Sequence, residues 1–301
     1  MEYIRLVMVQ IKIFLLFSVL AILLVFLGGL IGYVFGDILL FTTIFLILAI
    51  GLNLYSYFYS DKLALRMTKS KLVTESEEPR LYRIVKKVVS TVNISMPKVG
   101  VMETQIPNAF ATGRDEKHSV VVVTRGILNM LDDDELESVI GHEVGHITNR
   151  DILISTIAAT IATMISYIGN LVLFSELFGG EQRNNNAGIL LLVAAILIPI
   201  GAVFVQLGIS RSRESNADIT SVRTVRKPDA MISALRKISS VKAPPAFGMG
   251  SRRRGENIGA FSSLFIVNNF SAHSLMNLLS THPTLEKRIA DISKEREKLG
   301  I

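Results

Sequence analysis

The chain has 301 residues, of which 50% are hydrophobic and 19% charged, and its formal net charge is +6. Together with a positive mean hydropathy, this composition is unusual for a soluble enzyme and indicates a membrane protein with a water-exposed part. The absence of cysteine excludes disulfides, a thiol nucleophile and thiolate metal ligands. No basic stretch is interleaved with aromatic residues, so an anionic membrane surface explains the charge better than nucleic acid does.

Four uncharged runs are long enough to cross a bilayer, which takes about 20 residues. They cover residues 13–36, 38–60, 152–173 and 187–209. A cleavable signal peptide fits the first run poorly, because the second run begins directly after Asp37. We therefore expect two transmembrane hairpins. For the second pair, a hairpin buried inside the water-exposed part is the alternative.

Basic residues set the expected orientation of these hairpins. The turns inside the two hairpins are poor in positive charge. The second turn contains Arg183, and the first contains no basic residue. The other ends of the runs are flanked by Arg5, Lys12, Lys62, Arg66, Lys69, Lys71, Arg211 and Arg213. By the positive-inside rule, both termini and the water-exposed part are cytoplasmic.

The segment between the second and third runs combines helical and strand patterns. Apolar residues at helical spacing predict a helix over residues 79–92. Strands are predicted over 98–103 and 118–124, and residues 108–113 between them are expected to form a third, partly exposed strand. The water-exposed part is therefore of the α+β type, with a small β-sheet.

The sequence His-Glu-Val-Gly-His at 142–146 carries the chemistry. Asp132 predicts the start of its helix, and Glu135 is placed to complete a capping box. On that helix His142 and His146 leave the same face, one turn apart, with Glu143 beside them. This is the HExxH arrangement of a zinc hydrolase, with two imidazole ligands for one Zn²⁺ and a carboxylate that takes a proton from the attacking water. The alternative is a surface helix with two satisfied histidines.

Distances along the chain predict a third protein ligand. His146 lies six residues before the third run, and Glu214 lies five residues after the fourth. At 1.5 Å per residue, a helical hairpin places both about 8–9 Å beyond the same membrane face. Asp218, one helical turn after Glu214, is predicted to fix the tautomer of a zinc-bound imidazole. Alternatively, both acids only pair with neighbouring arginines.

With these features the chain resembles the HtpX-type membrane zinc metalloproteases, which are relatives of the CAAX prenyl endopeptidases. The resemblance rests on the four runs, on residues 108–113, on the 142–146 motif followed by Asn-Arg-Asp, on residues 210–218 and on Ser-Thr-His-Pro at 280–283. It implies a gluzincin-like catalytic domain with Glu214 as third ligand. It also implies proteolysis of membrane proteins in quality control.

The resemblance implies two further roles. His282 would donate a hydrogen bond to the oxyanion of the tetrahedral intermediate, or else be an ordinary helix-start residue. Asn108, with Ala109 and Phe110, would lie beside the cleft on a strand edge that pairs with an extended substrate; the alternative for Asn108 is a turn. Ser215 stands where the family usually has an aromatic residue, and Thr284 where proline is common, which puts a transfer of substrate preference in doubt.

The sequence thus predicts an α+β membrane protein, mainly helical, with four transmembrane helices. Residues 1–60 and 152–209 form the hairpins, and 61–151 and 210–301 form the two parts of the catalytic domain. The expected function is zinc-dependent proteolysis of misfolded or damaged membrane proteins, with protein or peptide substrates and the lipid bilayer as partners and no nucleic acid. A CAAX-type prenyl-protein endopeptidase and a non-catalytic scaffold with a vestigial metal site are the alternatives. His118 and His273 are expected to be structural or solvated.

Overall fold

A computed structural model of the chain describes residues 2–149, 151–158, 161, 165, 211–241 and 283–301. The fourth run lies outside these residues, as do most of the third run, residues 242–259, His273 and His282. The chain forms two compact units. One comprises Met1–Ser60 and Ile157–Gly208, and the other comprises Asp61–Thr156 and Ile209–Ile301.

Two long apolar helices open the first unit, as the sequence predicts. Helix α1 spans Glu2–Phe35 and helix α2 spans Ile38–Met67. Within the described residues, both are long and apolar enough to cross a membrane. They approach closely at Gly28, where an added Cβ would lie 2.7 Å from Cβ of Phe45. The backbone of α2 leaves helical geometry at Tyr59, which is the last residue of its candidate span.

The second unit contains one four-stranded sheet. Its strands are β1 (Lys71–Leu72), β2 (Lys98–Met102), β3 (Ala109–Gly113) and β4 (Ser119–Thr124), in the order β1-β2-β4-β3. Strands β2 and β4 are parallel, and the outer pairs are antiparallel. The predicted third strand exists and lies at a sheet edge, but the expectation that it is partly exposed was wrong: all five of its residues are buried.

The second unit also contains helices α3 (Pro79–Val92), α4 (Arg125–Met130), α5 (Asp133–Thr148), α6 (Arg211–Val225), α7 (Pro228–Ser240) and α8 (Leu285–Leu299). The predicted capping box of α5 is present. The side chain of Asp132 accepts a hydrogen bond from the amide of Glu135 at 2.9 Å, and the Glu135 carboxylate accepts one from the amide of Asp132 at 3.0 Å. A 3₁₀ turn at Glu116–His118 precedes β4.

The sheet separates two different environments. Val99, Val101, Val121 and Val123 lie on its inner face, which belongs to the main hydrophobic core with helices α3, α5 and α7. The outer face carries Gly100, Met102, Phe110, Val120 and Val122, where Met102, Phe110, Val120 and Val122 form a smaller cluster that is covered by Leu65 of α2. Alternation along each strand produces this division, since successive side chains point to opposite faces.

Candidate metal centre

Helices α5 and α6 bring two imidazoles and one carboxylate together. Nε2 of His142 lies 3.5 Å from Oε2 of Glu214, and Nε2 of His146 lies 3.5 Å from Oε1 of the same carboxylate. The two rings meet edge to face with centroids 4.8 Å apart. His142 and Glu214 are buried, and His146 is partly buried.

The donor set and spacing fit a tetrahedral zinc ion. Imidazole nitrogen and carboxylate oxygen are ligands that Zn²⁺ prefers, at distances of about 2.0–2.2 Å. In a tetrahedral site with metal–ligand bonds of this length, two ligand atoms are about 3.4 Å apart. The two nitrogen–oxygen separations of 3.5 Å match that edge, and one ligand atom from each residue can be chosen within 4.8 Å of the others. The arrangement is that of a three-ligand site.

Two glycines of α5 set how closely α6 can approach. A Cβ on Gly141 would lie 2.7 Å from Cγ2 of Val225 and 2.8 Å from Oγ of Ser221. A Cβ on Gly145 would lie 3.3 Å from the carbonyl oxygen of Ala217. Because both positions lack a side chain, α6 can lie directly against α5. This close packing lets Glu214 reach the two imidazoles.

The other ring nitrogen of His142 contacts Asp218. Nδ1 of His142 lies 2.8 Å from Oδ1 of Asp218. Burial opposes a charge on His142, but Asp218 and Glu214 outweigh it and raise the pKa of the imidazole to about 9 in the metal-free protein. A carboxylate at Nδ1 orients the ring and directs Nε2 toward a metal.

Asp218 is itself held by an arginine that the sequence analysis missed. Arg288 of α8 donates to both carboxylate oxygens of Asp218, with Nε–Oδ2 at 2.7 Å and Nη2–Oδ1 at 2.6 Å. Burial would raise the pKa of Asp218, but the charges of Arg288 and His142 hold it below its usual range. The sequence contains a signal for this arginine. Arg288 shares the helical stripe of Leu285 and Ile292, which faces the core.

Glu143 lies in the same buried region. Burial raises the pKa of its carboxyl group, against the neighbouring imidazoles of His142 and His146, which lower it. The backbone of Ala111 in β3 also lowers the pKa of this carboxyl group. Helix α5, which carries the general-base candidate, packs against this edge strand.

The residues proposed for substrate contact are buried in β3 or next to it. Asn108, Ala109 and Phe110 are each at most 1% exposed, and Phe110 packs in the outer-face cluster. Any contact with a substrate would use their backbone. His118, expected to be structural or solvated, is half-exposed, and its Nδ1 lies 2.7 Å from Oδ1 of Asp115. Oδ2 of Asp151, three residues after the end of α5, lies 3.8 Å from Nδ1 of His146.

The fold and this site define a metallopeptidase. Residues 75–296 match the model of Peptidase family M48, and the chain belongs to that family. This confirms the resemblance stated from the sequence. The similar relatives are described as Protease HtpX homologs.

Three of these relatives span the same length as this chain. The Campylobacter hominis protein is 39% identical over 97% of this chain and 100% of its own length. The Pyrococcus furiosus protein is 42% identical, over 95% and 96%, and the Thermodesulfovibrio yellowstonii protein is 43% identical, over 90% and 93%. Among solved structures, S. mikatae Ste24p is similar at 17% identity with a TM-score of 0.46, over 96% of this chain and 66% of Ste24p.

Proposed function

We propose that this protein is a membrane-embedded zinc endopeptidase that cleaves misfolded or damaged membrane proteins at the cytoplasmic face of the cell membrane. The observation that carries the proposal is the buried cluster of His142, His146 and Glu214 on two facing helices. Glu143 adds a carboxylate that is not part of the cluster. A purely structural metal site has no use for such a base.

Each of these residues has a separate role in the proposed peptide hydrolysis. His142, His146 and Glu214 hold one Zn²⁺ per chain. The ion, when bound, supplies Lewis acidity that polarises the scissile carbonyl and acidifies water. Glu143 accepts a proton from the attacking water and passes it to the leaving amine. Asp218, fixed by Arg288, keeps His142 in the tautomer whose Nε2 faces Glu214.

We assign the oxyanion-stabilising role to His282, on the strength of the resemblance. Pro283 is buried, Thr284 caps α8, and α8 carries Arg288 to Asp218. His282→Ala is expected to lower kcat while zinc stays bound. Unchanged kcat in that variant would remove His282 from the machinery.

We place the substrate along β3. The carbonyl of Asn108 accepts the amide of Thr124, which follows β4, at 2.9 Å. Because backbone groups alternate in direction along an antiparallel strand, those of Ala109 and Ala111 point away from β4. An extended peptide can pair with that edge, and helix α5, which carries Glu143, packs against β3.

The membrane arrangement is proposed from the charge pattern. The four uncharged runs form two transmembrane hairpins, residues 1–60 and 152–209. Residues 61–151 and 210–301 together build the catalytic domain on the cytoplasmic side, where the basic flanks and both termini also lie. Partners are protein or peptide substrates and the lipid bilayer.

The deciding experiment compares the wild type with Glu143→Gln in zinc content and in cleavage of unfolded casein. We expect one zinc per chain in both proteins and loss of cleavage in the variant, since the amide keeps the shape of the side chain but cannot accept the proton. Retained cleavage would exclude Glu143 as the base. No cleavage by the wild type at full zinc content would favour a scaffold.

Glu214→Ala tests the ligand set independently. Its zinc content is expected to fall well below one per chain, because only two protein ligands remain. Full zinc content in that variant would remove Glu214 from the site.

Equal cleavage of prenylated and plain peptides is expected, and a strict requirement for a prenyl chain would move the substrate class to lipidated proteins.

A further inference from the structure

The sheet edge formed by β1 and the residues leading into β2 carries exposed apolar side chains. Among the described residues of the second unit, the large hydrophobic side chains that are exposed are Leu72 (49%), Met96 (41%) and Ile301 (40%). Two of these three lie on the same edge. Leu72 pairs with Gly100, so its side chain is on the outer face, and Met96 lies two residues before β2.

Two segments that lead into the apolar runs contact the outer face of the sheet. Leu65, which covers it, lies six residues after Tyr59, where the candidate span of α2 ends. Thr112 of β3 points to the same face, since it pairs with Val120, and its hydroxyl lies 3.2 Å from that of Thr156. Thr156 lies four residues after the third run begins. Under the proposed membrane arrangement, both of these segments lead into transmembrane runs, and we take the face that they contact to be the one nearer the bilayer.

Basic residues predominate in the segment that leads into this edge, while Glu116, which accepts the amide of Ser95, is an acidic residue beside it. Residues 60–73 contain four basic residues and one acidic residue, and acidic residues resume only at Glu75. Lys71 and Lys98 are exposed on the two paired strands, and Lys98 pairs with Val120, which places its side chain on the outer face. Arg66 is exposed at the end of α2. Apolar tips flanked by basic side chains suit an anionic lipid surface.

We infer that Leu72, Met96 and Lys98 form a lipid-docking edge that inserts its apolar tips among anionic headgroups and holds the catalytic unit against the bilayer. The inference rests on the proposed membrane insertion of α2. It adds a contact that the spans themselves do not require. Such a contact would keep the substrate cleft at a fixed height above the membrane.

The lack of cysteine makes a direct test simple. Single cysteines at Leu72 or Met96, introduced into the Glu143→Gln protein, are labelled with an environment-sensitive fluorophore. The full chain is reconstituted in vesicles of phosphatidylcholine with about 30% phosphatidylglycerol, with or without a lipid-borne quencher near the headgroup. Ser90→Cys on α3 is the water-facing control, since Ser90 is exposed and α3 packs on the inner face. Leu48→Cys in α2 is the inserted control.

We expect blue-shifted emission and quenching at Leu72 and Met96, and neither at Ser90. Lys98→Glu should lower the ratio of docked to undocked label about fivefold or more, and Lys86→Glu on α3 should leave it unchanged. Pure phosphatidylcholine should weaken docking similarly. Labels at 72 and 96 that behave like Ser90, while Leu48 is quenched, overturn the inference and leave the proposed function intact.

Two other results also overturn it. If the label is quenched by lipid only in the absence of unfolded casein, casein competes for the edge, and the edge would be a contact for substrate. Energy transfer between labels on different chains, without lipid quenching, would make it a contact between copies. An unquenched label at Leu48 would refute the insertion of α2 and the docking edge together.

Discussion

Arg288 is a guanidinium with 2% exposure, on a helix whose other basic residues are less buried. A charge buried to this degree is tolerated only with a partner, and Asp218 supplies a bidentate one. The pair is also the far end of a chain of contacts that reaches His142. Its removal therefore acts on stability and on the metal site at once.

Arg288→Ala is expected to destabilise the protein by about 3–5 kcal/mol, because it leaves a buried, unpaired carboxylate next to a metal ligand. Thermal unfolding in detergent and zinc content measure the two effects. Arg288→Lys should fall between wild type and alanine, since lysine keeps the charge but not the two parallel hydrogen bonds.

The matched control is Arg296→Ala on the same helix. Arg296 pairs with Asp229 at 2.8 Å, but both side chains are largely exposed, so we expect a change of at most about 1 kcal/mol and unchanged zinc. If Arg288→Ala proves as stable as Arg296→Ala, the buried pair of Arg288 and Asp218 does not contribute the expected free energy of unfolding.

Helix α5 is held at its beginning by Glu135. Its carboxylate caps the helix and also accepts hydrogen bonds from Ser233 at 2.6 Å and from Lys237 at 2.6 Å, both on α7. Burial would raise the pKa of Glu135, but Lys237, Ser233 and the amide of Asp132 hold it below its ordinary value of 4.5. The capping residue thus fastens two helices together.

A carboxylate whose pKa is lower in the folded state stabilises the fold above its ordinary pKa, and this stabilisation is lost as the pH falls through the folded value. Glu135→Gln should therefore lower the thermal midpoint at pH 7 by the equivalent of about 1–3 kcal/mol. The difference from wild type should shrink as the pH is lowered below 4.5. Glu75→Gln, at an exposed site, should follow the wild type throughout. A difference for Glu135→Gln that is constant with pH would contradict this view.

The contact between α5 and α6 gives a second prediction for these elements. Gly141→Ala places a methyl group within 2.8 Å of Cγ2 of Val225 and Oγ of Ser221. Either these two side chains shift, or α6 moves away and carries Glu214 with it. We expect a loss of about 1–3 kcal/mol in stability and reduced zinc content, measured by calorimetry and metal analysis. Gly51→Ala in α2 is the control, because nothing lies within 4 Å of the added Cβ. Normal zinc content in Gly141→Ala would mean that the helices can separate without losing the ligand.

Helical periodicity predicted α3, because this helix buries one regular face. The unbroken run of valines predicted β4, whose residues are buried on both faces of the sheet. Local sequence also predicted the capping box, since both of its residues lie within one turn. The pairing of Glu135 with α7 and of Asp218 with α8 could not be predicted, because both partners are distant in sequence. Gly141 precedes the 142–146 motif and Gly145 lies within it. Their role in helix packing could not be predicted, because it depends on a helix that begins at residue 211.

At the scale of the whole molecule, the metal would cross-link two parts of the chain that are distant in sequence. His146 and Glu214 are separated by both runs of the second hairpin. A ligand that binds only the folded state stabilises it by about 2.7 kcal/mol at one hundred times its dissociation constant. Chelation should therefore lower the thermal midpoint of the wild type, and added zinc should restore it.

Glu214→Gln provides the comparison for this effect. With one ligand weakened, added zinc should raise its midpoint much less than that of the wild type. A wild-type midpoint that does not respond to chelation, although zinc is removed, would mean that the site is not a structural link between the two parts. The burial of the donors on both helices argues for a response.

The division of the donors between two distant segments also matters during synthesis. A ribosome that has released the α5 helix has made both histidines and the glutamate between them, but not the third donor or the arginine that orients the site. The proposed hydrolytic site would therefore be complete only once most of the polypeptide has been made and the two parts of the catalytic domain have met. Under the proposed function, a shorter nascent chain carries no complete site with which to cleave itself or its neighbours.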